Sequence, residues 1–554
     1  MAGTTTTQAE HGEREELTAA QAGVLAAQRI DPGSPAHNVG QYVRIDGPLR
    51  PELLEAALAR TLAEADGLHL TVAANGDSAR RHRFDPGAWT LARIDTSGAT
   101  DPEQAAVDLV RRQLARPADL SGDALHGALL VRTGEESHLW FQWFHHLVVD
   151  GYAVALFTRR VAEVYTALAA GTDVPDSPLR PAAVLREAER AYLAGESAAA
   201  DARWWQQRYA DRPQVRALTE QQAAAAPAAL RHRITLDAAR TAPVLAAAKA
   251  ARVTWAEAAH AALAAYLHRM TGTADPVLGM HLMARTAPGT PRVVGMAVNI
   301  LPLRLAVDPA DGFDALLRRS AAELKDVRRH QLHRGEELRR TLGLVGTDER
   351  LYGPLLNIKP FDLDLDFAGA PGHTVNLAAG PVDDLSLSVA KTPDHRLQLE
   401  FDANPELYTE AELALHARRF TALLERLAAE PERPLGELDL LADEERVDVL
   451  ERWNATGHDV PPGTLVDRIA TRAAHSPDTV AVTAPDRELT YRQLWDQAGE
   501  LAGELAAAGA GPDAVVAVAV PRSAALMVAL LGVLRAGAAY LPLDTDHPAE
   551  RLAG

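Results

Sequence analysis

The stretch from His138 to Gly151 constrains this chain more than any other. Its first part, His138-Leu139-Trp140-Phe141-Gln142-Trp143, is aromatic and aliphatic in the manner of a buried strand. After Gly151 the period changes, and Phe157, Val161, Val164 and Leu168 fall on one stripe of a helix. Two adjacent histidines, His145 and His146, therefore sit where a strand turns into a helix, with Asp150 just beyond them. An imidazole titrates near neutrality, so one fixed at a strand end can take or give a proton at physiological pH. Asp150 stands where a charge partner or a helix N-cap belongs.

Composition removes several classes of function. A length of 554 residues, 47% of them hydrophobic, holds roughly three to four domain-sized units. No cysteine is present, which excludes disulfides, thiolate metal sites and a cysteine nucleophile, and fits a cytoplasmic protein. The net charge of −19 argues against nucleic acid or an anionic membrane as partner. The longest apolar run, Ala524 to Leu534, is flanked by arginines and too short to span a bilayer. Residues 1–16 are polar and read as a flexible tail.

Along the chain, Leu17-Thr18-Ala19-Ala20-Gln21 opens a helix, and Asn38 to Asp46 alternates as a strand. Pro51 starts a helix striped by Leu54, Leu58 and Leu62 and closed by Gly67, followed by a strand from Leu68 to Val72. Asp101 to Leu114 is helical. Gly171 to Pro181 reads as a linker between two mixed α/β lobes. In the second lobe Arg231 to Leu236, Pro276 to Met283, Val293 to Leu305, Leu351 to Ile358, Asp384 to Val389 and Leu397 to Asp402 read as strands. Thr254 and Glu257 form a capping box, and Asp314 to Lys325 and Glu410 to Ala429 are helices. Composition shifts over residues 443–464, which marks a linker. Beyond it, Val515 to Val520 and Ala524 to Arg535 read as a buried strand and a buried helix.

These residues resemble a known family. His145-His146-Leu147-Val148-Val149-Asp150-Gly151 matches the HHxxxDG signature of nonribosomal peptide synthetase condensation domains. Leu17 to Gln21 is similar to that family's opening motif, and Val294-Gly295-Met296-Ala297-Val298-Asn299 resembles its (I/V)GxFVN motif, with Ala297 where phenylalanine is usual. His330-Gln331 resembles the start of its HQD motif, with Leu332 in place of the acid. Trp453-Asn454-Ala455-Thr456 looks like the exit toward an adenylation domain, and two stretches, Leu489 to Leu494 and Leu534 to Asp544, look like the first adenylation motifs. Gly353 to Lys359 and Gly380 to Leu385 look most like enterobactin synthetase component F-type modules.

The resemblance implies an α/β fold of two chloramphenicol acetyltransferase-like lobes in a V-shaped pseudo-dimer, residues 17–175 and 182–442, plus an incomplete adenylation piece, residues 465–554. It implies amide formation between a donor thioester and the amine of an acceptor aminoacyl thioester, both on phosphopantetheine arms, in a monomer with no bound cofactor. His146 is then the catalytic residue, supported by His145, Asp150 and Gly151. Asp150 is expected to pair with Arg285, while Gly295 and Asn299 are tunnel-lining candidates, or alternatively a bulge and a strand-end amide. Gly151 permits a close backbone approach or takes positive φ. No carrier domain precedes Leu17, so a donor carrier in trans is expected, with siderophore-type chemistry and an acceptor carrier domain, downstream or separate. No phosphate loop or adenylate lysine lies before Gly554, so no ATP site is expected. A non-catalytic carrier-docking scaffold and an epimerase-type domain of the same fold stay open. A metal is not expected, because no second ligand cluster accompanies HxxxD. Ser388-Val389-Ala390-Lys391 matches S-x-x-K, but in a strand those two side chains face opposite sides.

Overall fold

The computed structural model describes residues 13–72, 79–121, 124–226, 228–359 and 364–544. They form two compact units divided after Arg446. In the larger unit the first strands are β1 (Glu13–Glu15), β2 (Asn38–Asp46), β3 (Leu70–Val72), β4 (Ala79–Arg81), β5 (Ala92–Asp95), β6 (His126–Arg132) and β7 (Ser137–His145). There follow β8 (Leu230–Leu236), β9 (Val277–Leu282), β10 (Asn299–Arg304), β11 (Leu355–Lys359), β12 (Asp364–Phe367), β13 (Ala370–Ala379), β14 (Leu385–Lys391) and β15 (Leu397–Ala403). Two six-stranded sheets result, ordered β12-β13-β2-β7-β6-β5 and β10-β9-β11-β14-β15-β8, and β1-β4-β3 makes a small third.

The helices that cover them begin where local chemistry allows. In α1 (Ala19–Ile30) the Thr18 and Gln21 side chains cap each other's backbone. In α2 (Pro51–Glu64) Pro51 occupies the first turn, and Leu54, Leu58 and Leu62 are buried. The next turn holds Gly67, where an added Cβ would lie 2.2 Å from the Val294 carbonyl, so only glycine lets the two chains approach. α3 (Pro102–Leu114) is capped by Asp101, and α4 (Gly151–Ala170) by Asp150. The second half contributes α5 (Trp255–Thr271) with its Thr254–Glu257 capping box, α6 (Phe313–Arg329) and α7 (Glu410–Ala429).

Four expectations need correction. The tail is shorter than 1–16: Glu13–Glu15 pairs with β4, and the Glu15 carboxylate takes Arg81 and Arg186; residues 1–12 lie outside the described residues. The lobes are not contiguous in sequence, because β12 and β13 cross from the second half and β13 pairs with β2 in the first sheet. Val293 to Leu305 becomes a strand only at Asn299, since the backbone groups of Gly295, Ala297 and Val298 are engaged by Arg285 and Asp150 instead of a ladder. Gly171 to Pro181 is irregular but pinned: Arg180 N–H donates to Arg292 O, and Leu179 is buried.

The smaller unit carries helices Leu465–His475 and Tyr491–Ala507, each opened by a capping box. Strands Val515–Val518 and Ala539–Pro542 run parallel, joined through helix Ala524–Arg535. The expected buried strand and helix are only partly covered here: Val515 is 67% exposed, and the helix buries Ala524, Leu531, Gly532 and Val533. No helix among the described residues is long and apolar enough to cross a membrane.

Candidate active site

The turn between β7 and α4 is fixed from both ends and from inside. β2 runs antiparallel to β7 with Asn38 opposite His145. His146 N–H donates to His37 O at 2.9 Å, and His145 N–H to Leu125 O at 2.8 Å. Leu147, Val148 and Val149 are fully buried in the core of the first lobe, each side chain worth about 1.5–3 kcal/mol of burial. Gln21 of α1 donates its side-chain N–H to Leu147 O at 3.2 Å. An apolar triplet sunk this way cannot rotate out, so the polar residues on either side of it are held in place.

His146 Nδ1 lies 3.0 Å from Val149 O. A carbonyl only accepts, so Nδ1 carries the proton and Nε2 the lone pair. Nε2 faces Gly380, just past β13: a Cβ added there would lie 2.7 Å from it, and Gly380 has φ +104°. The ring lines a cavity of about 850 Å³ within the larger unit, together with His37, His281, Asp150 and Gly380. Burial pushes His37 down to about 4, helped by the neighbouring His146, and burial likewise pushes His281 down to about 4. Both are therefore neutral hydrogen-bonding groups at pH 7.

His145 has a different task. Its Nδ1 accepts from Leu147 N–H at 3.1 Å, its Nε2–H donates to Gln28 Oε1 at 3.1 Å, and burial, with His37 and His146 nearby, pushes it down to about 3. It orients the turn as a neutral ring. Asp150, 1% exposed, both caps α4 and bridges the lobes. One oxygen accepts from Ala153 N–H at 2.9 Å. The other accepts from Arg285 at 2.7 Å, Ala297 N–H at 2.9 Å and Val298 N–H at 3.0 Å. Arg285 also donates to Gly295 O at 2.7 Å and sits over the Tyr152 ring.

The other expected site residues divide. Gly151 lines the cavity with open space where a side chain would project, and its φ is not positive. Gly295 and Asn299 are not among the residues lining the main cavity. Gly295 gives its carbonyl to Arg285, and Asn299, 1% exposed, donates to Gln331 O and His333 O and accepts from Gly335 N–H. Their neighbours Met296, Val298 and Ile300 line the cavity instead. His330 pairs with Asp201 and stacks on Trp204, away from His146's role. His37 and His281 carry no local motif; only the fold brings them in. Among the described residues no group of three or more histidine, aspartate or glutamate side chains is placed to hold a metal ion.

Comparison with known proteins agrees with this geometry. The sequence profile of the condensation domain matches residues 13–450, and that of the AMP-binding enzymes matches 469–554. The chain is 37% identical to the dimodular nonribosomal peptide synthase of Bacillus subtilis over 97% of its own length and 23% of that protein. It is 33% identical to enterobactin synthase component F of Escherichia coli O157:H7 over 97% of its length and 42% of that protein. It thus spans well under half of either relative. Among solved structures, the starter condensation domain of rhizomide synthetase in complex with C8-CoA is 35% identical, with a TM-score of 0.72 over 77% of this chain and 98% of that one.

Proposed function

This chain belongs to the condensation-domain family of nonribosomal peptide synthetases, and on that premise we propose that its cavity joins two carrier-bound thioesters through an amide bond, with His146 at the reacting atoms. The observation that carries this reading is the placement of the His146 ring, its Nδ1 held 3.0 Å from Val149 O, on the wall of the 850 Å³ cavity. The amine nitrogen of the acceptor aminoacyl thioester attacks the donor carbonyl carbon. An α-amino group has a pKa of about 7.7–8.0, so a sizeable fraction is neutral at pH 7 and no strong base is needed before attack. The nitrogen becomes acidic as the tetrahedral intermediate forms. His146 Nε2 accepts that proton, and the C–S bond breaks to release the donor's thiol, which takes up the proton. Positioned acid–base groups of this kind contribute about 10²–10⁴ in rate. Asp150 and Arg285 hold the lobes around the reaction and stay out of it.

Donor and acceptor arrive on phosphopantetheine arms of carrier proteins. The likeness to enterobactin synthase component F supports siderophore-type chemistry, an aryl donor such as dihydroxybenzoyl with serine or threonine as acceptor. Intact-protein mass spectrometry tests both levels. Incubation with an aryl-loaded donor carrier and a seryl-loaded acceptor carrier is expected to shift the acceptor by the mass of the donor acyl group. An unshifted acceptor with every donor tried overturns the reading; a shift only with alkyl or peptidyl donors overturns the aryl assignment alone.

A further inference from the structure

The second sheet meets the cavity with one whole face. On β14, Leu387 and Val389 enter the core, so Ser386, Ser388 and Ala390 point the other way and line the cavity. The registers align a row across four strands: Asn357 opposite Ser388, Ser388 opposite Glu400, Glu400 opposite Arg233. On the other side of β11 lies β9, and the pair Leu355–Gly279 places His281 two residues on, at the head of the same row. Adjacent strands lie about 4.8 Å apart, so Ser388 is about 10 Å from His281 across the sheet.

The charged end of the row is already satisfied. Glu400 pairs with Arg233 at 2.7 Å and with Arg231 and Lys359 at 3.3 Å, and Asp402 pairs with Arg231 at 2.6 Å. Burial alone would raise the Glu400 carboxyl, but these cations outweigh it and hold it near 2. The neutral end is not satisfied. Ser388 is 4% exposed, yet among the described residues neither its hydroxyl nor the side chains of Ser386 and Asn357 have a hydrogen-bond partner. All three open onto the cavity, where their donors and acceptors can be taken up by a ligand.

We propose that Asn357, Ser386 and Ser388 form a substrate-reading ladder for an uncharged, hydroxyl- or amide-bearing part of a bound thioester. This rests on the condensation reading for the identity of the ligand as a thioester, and on the sheet alone for its polarity. A charged ligand is disfavoured because no uncompensated charge faces it across these positions. The matching groups are the ring hydroxyls of an aryl donor or the distal amide of the pantetheine arm.

The test uses four probes: dihydroxybenzoyl and benzoyl groups, each as a pantetheine and as an N-acetylcysteamine thioester. Their dissociation constants are measured by calorimetry on the whole chain without amine acceptor, for wild type, Ser388→Ala and Asn357→Ala. Reading of ring hydroxyls weakens dihydroxybenzoyl binding about three- to tenfold on both tethers and spares benzoyl. Reading of the distal pantetheine amide, which N-acetylcysteamine lacks, weakens both acyl groups on pantetheine and spares N-acetylcysteamine. Unchanged affinity for all four probes in both variants, or an equal loss for all four, overturns the ladder. If wild type forms no amide while either selective pattern holds, the condensation reading falls and the ladder stands.

Discussion

The first sheet gives the cavity the imidazole at the end of β7, beside side chains of β2, β12 and β13; the second gives it a row of polar side chains running across four strands. In the first, β7 is buried on both sides, and in the five residues beyond it a sunken apolar triplet fixes one imidazole. In the second, strict alternation on β14 and β15 leaves polar side chains in the cavity and apolar ones in the core. One region is built to hold a single atom still, the other to offer many weak partners along a path. On the proposed reading, reactivity and recognition fall on different sheets, and the two lobes are tied by Asp150 and Arg285, both almost wholly buried.

Breaking that tie has the largest expected effect on stability. Asp150→Asn leaves Arg285 buried without its countercharge, and destabilisation of about 3–5 kcal/mol is expected in urea unfolding. A fully stable but inactive variant would instead move Asp150 into the chemistry and erase the division between the sheets.

Acid stability is next. His37 and His145 beside the first sheet and His281 on the second have folded values of about 3–4 against an unfolded 6.5. The unfolded chain therefore binds more protons between these limits, so stability rises with pH there and is lost as pH falls from about 6.5 toward 4. Each histidine contributes a slope approaching about 1.4 kcal/mol per pH unit. Urea midpoints at pH 6.5, 5.5 and 4.5 check this, and His145→Gln is expected to flatten the slope; an unchanged slope would show that burial does not govern that ring.

A smaller stability change accompanies Gly380→Ala. Its φ of +104° and the short approach to His146 Nε2 leave no room for a methyl group. A cost of about 1–2 kcal/mol is expected from the backbone, together with at least a tenfold fall in amide formation. Wild-type turnover in a folded variant would mean that the ring and this chain segment separate during the reaction.

Much of this was legible in the sequence, for physical reasons. The turn was, because strand and helix periods change on either side of His146, and so was the capping box at Thr254, which is a local hydrogen-bonding pattern. The pairing of Asp150 with Arg285 came from family resemblance, since nothing local to Arg285 announces it. β13 was not legible: Ala370-Pro371-Gly372-His373-Thr374 lacks alternation, and its partner β2 lies more than three hundred residues earlier. Gly295 and Asn299 were misplaced because a motif shows that residues matter without showing whether they face the cavity or brace its wall. His37, just before β2, and His281, within β9, are ordinary histidines until the fold places them in the same cavity as His146.

The central claim is that His146 Nε2 handles the proton of the attacking amine. Single-turnover amide formation between two loaded carriers, compared for wild type and a His146→Ala variant of unchanged thermal stability, tests it most directly. A fall of about 10²–10⁴ in rate, with donor binding retained, is the expected result; a rate within a few-fold of wild type would contradict the account.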